Sequence, residues 1–156
     1  MRTTLVPPPV VTLLSAWAMW GVAGLPTWAS VAVAPSAWGW QHMLAVVLWV
    51  LALALMTTAL WAMRALRTTP NPVMPERVSA LVQHGVFALS RNPIYVADGV
   101  VLVAWASWLG SAVALLVLPL FVVYISSMQI RAEEQALTVA FGDDYAQYCA
   151  RVRRWL

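Results

Sequence analysis

The chain has 156 residues, of which 62% are hydrophobic and 10% are charged, and its net charge is +3. Soluble domains carry about 25% charged residues, so this composition excludes an ordinary soluble fold and indicates an integral membrane protein. The positive charge comes from nine arginines and no lysine, and these arginines do not form the basic stripe of a nucleic-acid-binding surface. The single cysteine, Cys149, excludes an internal disulfide.

The first half of the chain is a long uncharged segment. Residues 3–63 contain no Asp, Glu, Lys or Arg. Because one membrane-spanning helix needs roughly 20 residues, this segment is long enough for two helices and a turn. We expect the first span at residues 10–33 and the second at residues 41–63.

A polar linker separates the two apolar halves. Residues 68–75 contain three prolines, which remove backbone donors and disfavour helix in the residues before them. We therefore expect an extended loop here, followed by a short helix or turn at residues 76–83.

The second half of the chain predicts a helical hairpin. Asn92 suits the position that caps a helix and Pro93 suits its first turn, so the third span is expected at residues 93–109. A turn at Gly110 would lead into a fourth span at residues 112–130.

The C-terminal residues 131–154 predict a polar helix on the cytoplasmic side. Gly142 should interrupt it, and apolar residues recur along it at helical spacing: Leu137, Phe141, Tyr145 and Tyr148. The predicted fold class is therefore an all-α integral membrane protein with about four transmembrane helices, a hairpin and a cytoplasmic C-terminal helix. Residues 1–156 would form a single domain.

The distribution of arginine predicts the orientation in the membrane. Both termini and the central linker carry arginines, whereas the two predicted turns, residues 34–40 and 109–111, carry none. By the positive-inside rule, both termini and the linker face the cytoplasm. Trp105 and Trp108, beside the second turn, are expected at the membrane interface. The arginine-only, alanine-rich composition is typical of a GC-rich bacterial genome, so we expect a multi-pass protein of a bacterial inner membrane. Its basic cytoplasmic face would contact anionic lipid headgroups.

Polar residues stand at both ends of the predicted hairpin. The segment Arg91–Tyr95 precedes it and the pair Glu133 and Glu134 follows it. Because the hairpin returns the chain to the same membrane face, these groups can build one polar pocket. Asp98 stands one turn inside the third span, where it could pair with Arg91 or take part in the pocket.

Several other kinds of site are not supported by the sequence. No Gly-x-Gly-x-x-Gly motif follows a strand, so a dinucleotide-binding fold is not expected. His42 and His84 belong to different segments and no paired His or Cys residues have metal-ligand spacing. No metal is therefore expected.

Four segments of the chain carry a resemblance to a known family. Residues 81–95 (LVQHGVFALSRNPIY) resemble the isoprenylcysteine carboxyl methyltransferase and phospholipid methyltransferase superfamily, and so do three later segments: residues 131–137 (RAEEQAL), 141–148 (FGDDYAQY) and 151–155 (RVRRW). The hallmark of that family is an Arg-His-Pro-x-Tyr motif, a helical hairpin and a Glu-Glu pair. The resemblance covers residues 68–156 and is closest to bacterial-type members.

The resemblance implies a membrane methyltransferase that binds S-adenosyl-L-methionine without a dinucleotide-binding fold. The candidate catalytic residues are Arg91 and Glu134. The residues that match the cofactor site of the family are Ser79, Ala80, Leu81, Val82, Phe87, Asn92, Pro93, Ile94, Tyr95 and Glu133.

The chain departs from the family pattern at two positions. Asn92 replaces the histidine of the motif; asparagine keeps a donor and an acceptor but cannot be protonated. Gln129 stands where the isoprenylcysteine branch has an arginine that is linked with the acceptor, and Arg131 is the nearest arginine. Gln129 and Arg131 are therefore the candidate substrate-binding residues.

The expected activity is in-line methyl transfer to a lipophilic or small-thiol acceptor. An isoprenylated cysteine, a phospholipid amine, a quinone-like lipid and a volatile thiol all fit the sequence. The alternative is a non-catalytic four-helix membrane scaffold or lipid-binding protein that keeps the fold, which Asn92 and Gln129 would favour. The sequence does not determine the oligomeric state.

Overall fold

The computed structural model describes residues 6–24, 39–66 and 80–156, and all of the regular structure within these ranges is helical. The predicted all-α class is therefore confirmed for the described part of the chain. It contains five α-helices: α1 (Pro8–Val22), α2 (Trp40–Ala65), α3 (Pro93–Trp108), α4 (Val117–Tyr124) and α5 (Arg131–Arg151).

Shorter helical segments connect these helices. A 3₁₀ turn at Gly85–Ala88 precedes α3, and another at Val113–Leu116 leads into α4. A π-helical segment, Ile125–Ile130, joins α4 to α5, so residues 113–151 form one helical rod, which is kinked at Gly142. The turn between α3 and this rod contains Gly110 with a φ of 62°, a conformation that glycine adopts without steric cost.

Two of the helical segments are long and apolar enough to cross a membrane. They are α2 and the rod Val113–Arg151, whereas α1 and α3 are apolar but shorter. Large apolar side chains on the outer surface, such as Trp17 (69% exposed) and Trp61 (72% exposed), are typical of a protein that lies in lipid. The count of four spans stays a prediction.

Two local predictions differ from the structure. Pro93 opens α3 as expected, but the side chain of Asn92 makes no capping hydrogen bond to that helix. Residues 80–83 of the predicted short helix are not helical, and the helical turn lies later, at Gly85–Ala88. The end of the first predicted span, the proline-rich loop at residues 68–75 and residues 76–79 lie outside the described residues.

Small residues bring α2 and α3 together. α2 packs more extensively against α3 than any other pair of elements does. Ala45, Ala52 and Ala59 recur every seven residues along α2 and are at most 2% exposed, and Ala97 and Ala104 have the same spacing on α3 and are fully buried. Alanine lets helix backbones approach closely. Such close packing stabilises helix pairs in lipid, because burial of apolar surface contributes little to association there.

The main core lies on the other side of α3. It joins residues of α1, α3, α4 and the π-helical segment, with Leu102, Phe121 and Ile125 at its centre. The indole N–H of Trp105 donates a 2.9 Å hydrogen bond to the carbonyl of Ala16 in α1. Trp105 thus uses its polar group to hold two helices together, a contact that the interface-anchor prediction did not include.

An aromatic cluster closes the opposite end of the α2–α3 pair. The ring of Trp108 lies 5.0 Å from that of His42 in an edge-on arrangement and 5.3 Å from that of Trp49. His42 is buried, and its Nδ1 accepts a 3.2 Å hydrogen bond from the backbone N–H of Gly39, the residue before α2. These contacts fix the end of α3 that is far from the polar hairpin ends.

Gly142 interrupts α5 as the sequence predicts. Its backbone has a φ of 47° and a ψ of −119°, which residues with a side chain rarely adopt. The kink redirects the chain after it, so that Tyr145 and Tyr148 are buried while the residues around the kink stay exposed.

Substitution of Gly142 tests this kink. A Cβ at Gly142 would meet no atom within 4 Å, so Gly142→Ala should destabilise the protein through backbone strain alone, by about 1–3 kcal/mol. Gly99→Ala is the matched control, because Gly99 lies inside α3 and a Cβ there also meets no atom within 4 Å. The unfolding midpoints of both variants are measured in detergent. Equal midpoints would contradict the predicted backbone strain at residue 142.

Candidate active site

A cavity of about 620 Å³ lies where the N-terminal segment, the second half of α2, the start of α3 and α5 meet. One part of its wall is apolar and comes mainly from Val6–Pro9 and from Met56, Leu60 and Met63 of α2. The other part carries most of the polar groups: Arg91, Asn92, Tyr95, Asp98, Gln129, Glu133, Glu134, Tyr145 and Tyr148. A pocket of this size with a few convergent polar groups is typical of a small-molecule site.

Most of the site residues proposed from the sequence line this cavity, and some do not. Those that line it are Phe87, Arg91, Asn92, Pro93, Ile94, Tyr95, Gln129, Glu133 and Glu134. Val82 instead packs with Ala59 and Ala62 beneath the cavity wall. Ala80, Leu81 and the exposed Arg131 are also absent from the lining, and Ser79 lies outside the described residues.

A hydrogen bond between Tyr95 and Glu133 closes the hairpin. The Tyr95 hydroxyl donates to Oε1 of Glu133 over 2.5 Å. Each is the third residue of its helix, α3 or α5, so the bond joins the first turns of both. The structure thus brings together the two groups that the sequence places at opposite ends of the hairpin, and Tyr95 is only 5% exposed.

Glu134 lies between two arginines. Arg154 binds it with two parallel hydrogen bonds, from Nε at 3.0 Å and from Nη2 at 2.6 Å. Nη1 of Arg91 lies 3.3 Å from Oε1 of the same carboxylate. The hydrogen bonds to Glu134 raise the pKa of Arg154 above its usual range, so its guanidinium stays charged at any physiological pH.

One buried polar atom of Arg91 has no partner among the described residues. Its Nη1 also donates to the sulfur of Cys149, but its Nε is buried and bonds to no atom of the described residues. A buried donor without an acceptor is costly. Arg91 also lines the cavity, so an acceptor group of a ligand would complete the hydrogen bonding of its guanidinium.

The C-terminal segment after α5 folds back onto the loop before α3. The backbone N–H of Arg91 donates to the carbonyl of Arg153 over 2.9 Å. The carbonyl of Arg154 accepts from the side chain of Asn92 at 2.9 Å and from the hydroxyl of Ser90 at 3.3 Å. The amide of Asn92, expected to cap α3, binds this carbonyl instead.

Gln129 lines the cavity, and its side-chain amide is engaged within the protein. It is 2% exposed, and its Nε2 donates to the backbone carbonyl of Val6 at the N-terminal side of the cavity. Gln129 belongs to the π-helical segment, whose extra residue per turn changes which side chains point inward; such segments are frequent at functional sites. The side-chain amide therefore holds the N-terminal segment in place.

Asp98 lines the cavity from the second turn of α3. Its carboxylate interacts with the hydroxyl of Thr12 in α1. Because Arg91 pairs with Glu134, the pairing of Asp98 with Arg91 that the sequence suggested is not what the structure shows.

Sequence reasoning missed part of the lining. Met56, Leu60 and Met63 lie on one face of α2. Because this helix is apolar on every side, its sequence does not show which face lines a cavity. Tyr145 and Tyr148 were predicted only as an apolar stripe; the hydroxyl of Tyr148 donates to the carbonyl of Phe87 over 2.7 Å. Among the described residues, no group of three or more His, Cys, Asp or Glu could hold a metal ion.

Comparison with known proteins gives one family match. A model of the phospholipid methyltransferase family matches residues 40–144, which includes α2, α3, the hairpin and both glutamates. An uncharacterized protein from Haemophilus influenzae is 41% identical over 63 residues, which are 40% of this chain and 100% of that protein. No solved structure matches.

The bond between Tyr148 and Phe87 should stabilise the floor of the cavity. Tyr148 is 3% exposed, so Tyr148→Phe would leave the Phe87 carbonyl without this donor and should lower the free energy of unfolding by about 1 kcal/mol or more. Tyr124→Phe, on α4, is the control. A thermal unfolding series in detergent compares the two, and equal stability of both variants and the wild type would contradict the role of this bond.

Proposed function

Because the chain belongs to the phospholipid methyltransferase family, a family of membrane methyltransferases, we propose that it uses S-adenosyl-L-methionine to methylate a lipophilic or small-thiol acceptor. The observation that carries this proposal is the polar wall of the cavity. There the buried, unpartnered Nε of Arg91 stands in the same lining as the Tyr95–Glu133 pair.

The charges of the cavity suit this cofactor. S-adenosyl-L-methionine carries a carboxylate, an ammonium, a ribose with two hydroxyls and a sulfonium. Arg91 offers a buried donor for a carboxylate, and Glu133 accepts from an ammonium or from ribose hydroxyls in charge-assisted hydrogen bonds. Asn92 and the apolar Pro93 and Ile94 complete this wall.

When bound, S-adenosyl-L-methionine supplies a methyl group on a positively charged sulfur. Displacement at that carbon is in line and disperses the charge, so the protein contributes mainly by positioning the reactants and excluding water. Tyr95 restrains the carboxylate of Glu133, and Glu134 restrains the guanidinium of Arg91. The apolar wall, with Met56, Leu60 and Met63 among its residues, would exclude water around the acceptor.

The net charge of the cavity favours an acceptor without a negative charge. Among the described residues, the lining contains three carboxylates, Asp98, Glu133 and Glu134, and one cation, Arg91. Arg91 is assigned to the carboxylate of the cofactor, and Gln129, at the position of the family's acceptor-linked arginine, bonds to Val6 through its amide. A carboxylate acceptor would therefore find no free cation.

A thiol loses its proton when it is methylated to a thioether, and an amine that is protonated in water must lose a proton before its nitrogen can attack the methyl group. Two carboxylates of the cavity could accept this proton, Asp98 and Glu134. Because Glu134 is held by two arginines, Asp98 is the better placed of the two. Its position inside the cavity would keep the proton acceptor close to the lipophilic part of the site.

The protein is membrane-associated, and its detailed placement is part of the proposal. We propose four spans in a bacterial inner membrane. The short helices α1 and α3 would cross beside α2 and the rod Val113–Arg151. The arginines around the cavity would then lie at the cytoplasmic face, where both termini are also expected. In this arrangement the cofactor enters from the cytoplasm and a lipophilic acceptor from the bilayer.

Glu133→Gln tests the cofactor site. Loss of the charge removes a charge-assisted hydrogen bond, which contributes about 1.5–3 kcal/mol, so affinity for S-adenosylhomocysteine should fall about tenfold or more. Calorimetry in detergent measures the affinity, and Gln135→Ala, at an exposed position of α5, is the control. If the wild-type protein binds no S-adenosylhomocysteine, the non-catalytic scaffold or lipid-binding alternative is favoured instead.

The acceptor class has its own test. Protein in lipid nanodiscs is given methyl-labelled cofactor and two long-chain lipids of equal length, one ending in a thiol and one in a carboxylic acid. We expect label in the thioether and little or none in a methyl ester, because the described lining has no second cation for an acceptor carboxylate once Arg91 binds the cofactor. Preferential labelling of the acid would reject the charge argument while leaving the methyltransferase activity established.

A further inference from the structure

The C-terminal segment Val152–Leu156 contacts residues of the polar wall without lining the cavity itself. The backbone carbonyls of Arg153 and Arg154 hold the loop Ser90–Asn92 through three hydrogen bonds. The indole N–H of Trp155 donates to the hydroxyl of Ser126 over 3.2 Å, and the ring packs against the main core. The segment is therefore fixed on both sides of Arg154.

The side chain of Arg154 reaches the same wall without entering the cavity. Its two hydrogen bonds hold the carboxylate of Glu134, whereas Arg154 itself is not part of the cavity lining. Through its carbonyl and its guanidinium, this single residue holds both Asn92 and Glu134. Any effect of Arg154 on a ligand in the cavity would be transmitted through those two residues.

The net charge of the cluster of Arg91, Glu134 and Arg154 depends on the second arginine, Arg154. Arg91 and Glu134 alone would form a neutral pair, in which the carboxylate competes with any anionic ligand for Arg91. With Arg154 bound to the same carboxylate, the cluster of three carries one net positive charge. Because a shared carboxylate binds each arginine less strongly, Arg91 keeps its attraction for an anionic group.

We propose that Arg154 is a positioning residue of the cofactor site. Its guanidinium occupies Glu134 so that Arg91 remains available to the carboxylate of the cofactor, and its carbonyl sets the orientation of the Asn92 amide. This inference rests on the proposed function, because the ligand concerned is S-adenosyl-L-methionine.

Two adjacent arginines provide a matched test. Arg153 has the same charge, its side chain is exposed, and only its backbone carbonyl holds the loop. The variants Arg154→Ala and Arg153→Ala therefore change the net charge equally. Calorimetry of the full-length protein in detergent, with S-adenosylhomocysteine as the ligand, yields both the dissociation constant and the number of binding sites.

The expected result separates positioning from folding. Arg154→Ala should raise the dissociation constant by about tenfold to a hundredfold, since small misplacements of a binding group have effects of that size, at an unchanged number of sites. Arg153→Ala should stay within about twofold of the wild type, since it loses one exposed charge. A role in folding alone would lower the number of sites and leave the dissociation constant unchanged, which would overturn the inference.

A conservative variant covers the case in which Arg154→Ala does not fold. Arg154→Lys keeps the charge but replaces the two-pronged contact with a single point contact, so its dissociation constant should lie between those of the wild type and Arg154→Ala. An unchanged constant in Arg154→Lys together with equal effects of the two alanine variants would show that only net charge matters and would overturn the inference. Absence of binding by the wild type would reject the proposed function itself.

Discussion

The site depends on one carboxylate held between two guanidiniums. Glu134 lies in the first turn of α5, Arg91 lies just before α3, and Arg154 lies in the segment after α5. A carboxylate that is largely withdrawn from water is stable only when it is paired and hydrogen-bonded. This requirement brings three distant parts of the chain to one point beside the cavity. Removal of one partner would leave the other charges unbalanced, so the loop before α3, the start of α5 and the C-terminal segment behave as one polar unit.

The rest of the fold holds this polar unit against an apolar scaffold. The alanines of α2 and α3 set a close helix pair, and the core around Phe121 ties α3 to α1 and α4. The cavity lies between the polar unit and the apolar scaffold. Its polar wall comes mainly from the starts of α3 and α5, and much of its apolar wall comes from α2 and the N-terminal segment. This division suits the proposed reaction between a charged, water-soluble methyl donor and an acceptor that dissolves in lipid. The donor needs fixed charges, and the acceptor needs a surface without them.

Much of the hairpin and of its polar end could be predicted from the sequence. Proline at the first turn of α3, glycine at the turn after α3 and glycine at the kink of α5 are local backbone signals, and each lies where it was expected. The spacing between Tyr95 and Glu133 placed them at the same level, because two apolar helices of similar length must return the chain to its starting face. The prediction of a short helix or turn was wrong for residues 80–83. Asn92 occupies the N-cap position of α3 as predicted, but its amide binds the C-terminal segment. Trp105 bonds to a neighbouring helix, which the sequence did not predict.

The sequence by itself determined the class of the protein, the hairpin and the residues at its polar end, because composition, helix-terminating residues and apolar length are local properties. Only the tertiary structure decided which of those polar groups meet. Arg154 binds Glu134 and Arg151 binds Gln83, and their positions along the sequence predict neither contact. Gln129 lines the cavity and stays a candidate substrate-binding residue, but its contact with the N-terminal segment could not be predicted. These pairings depend on how the kink at Gly142 and the π-helical segment rotate the chain, and no spacing along the sequence contains that rotation.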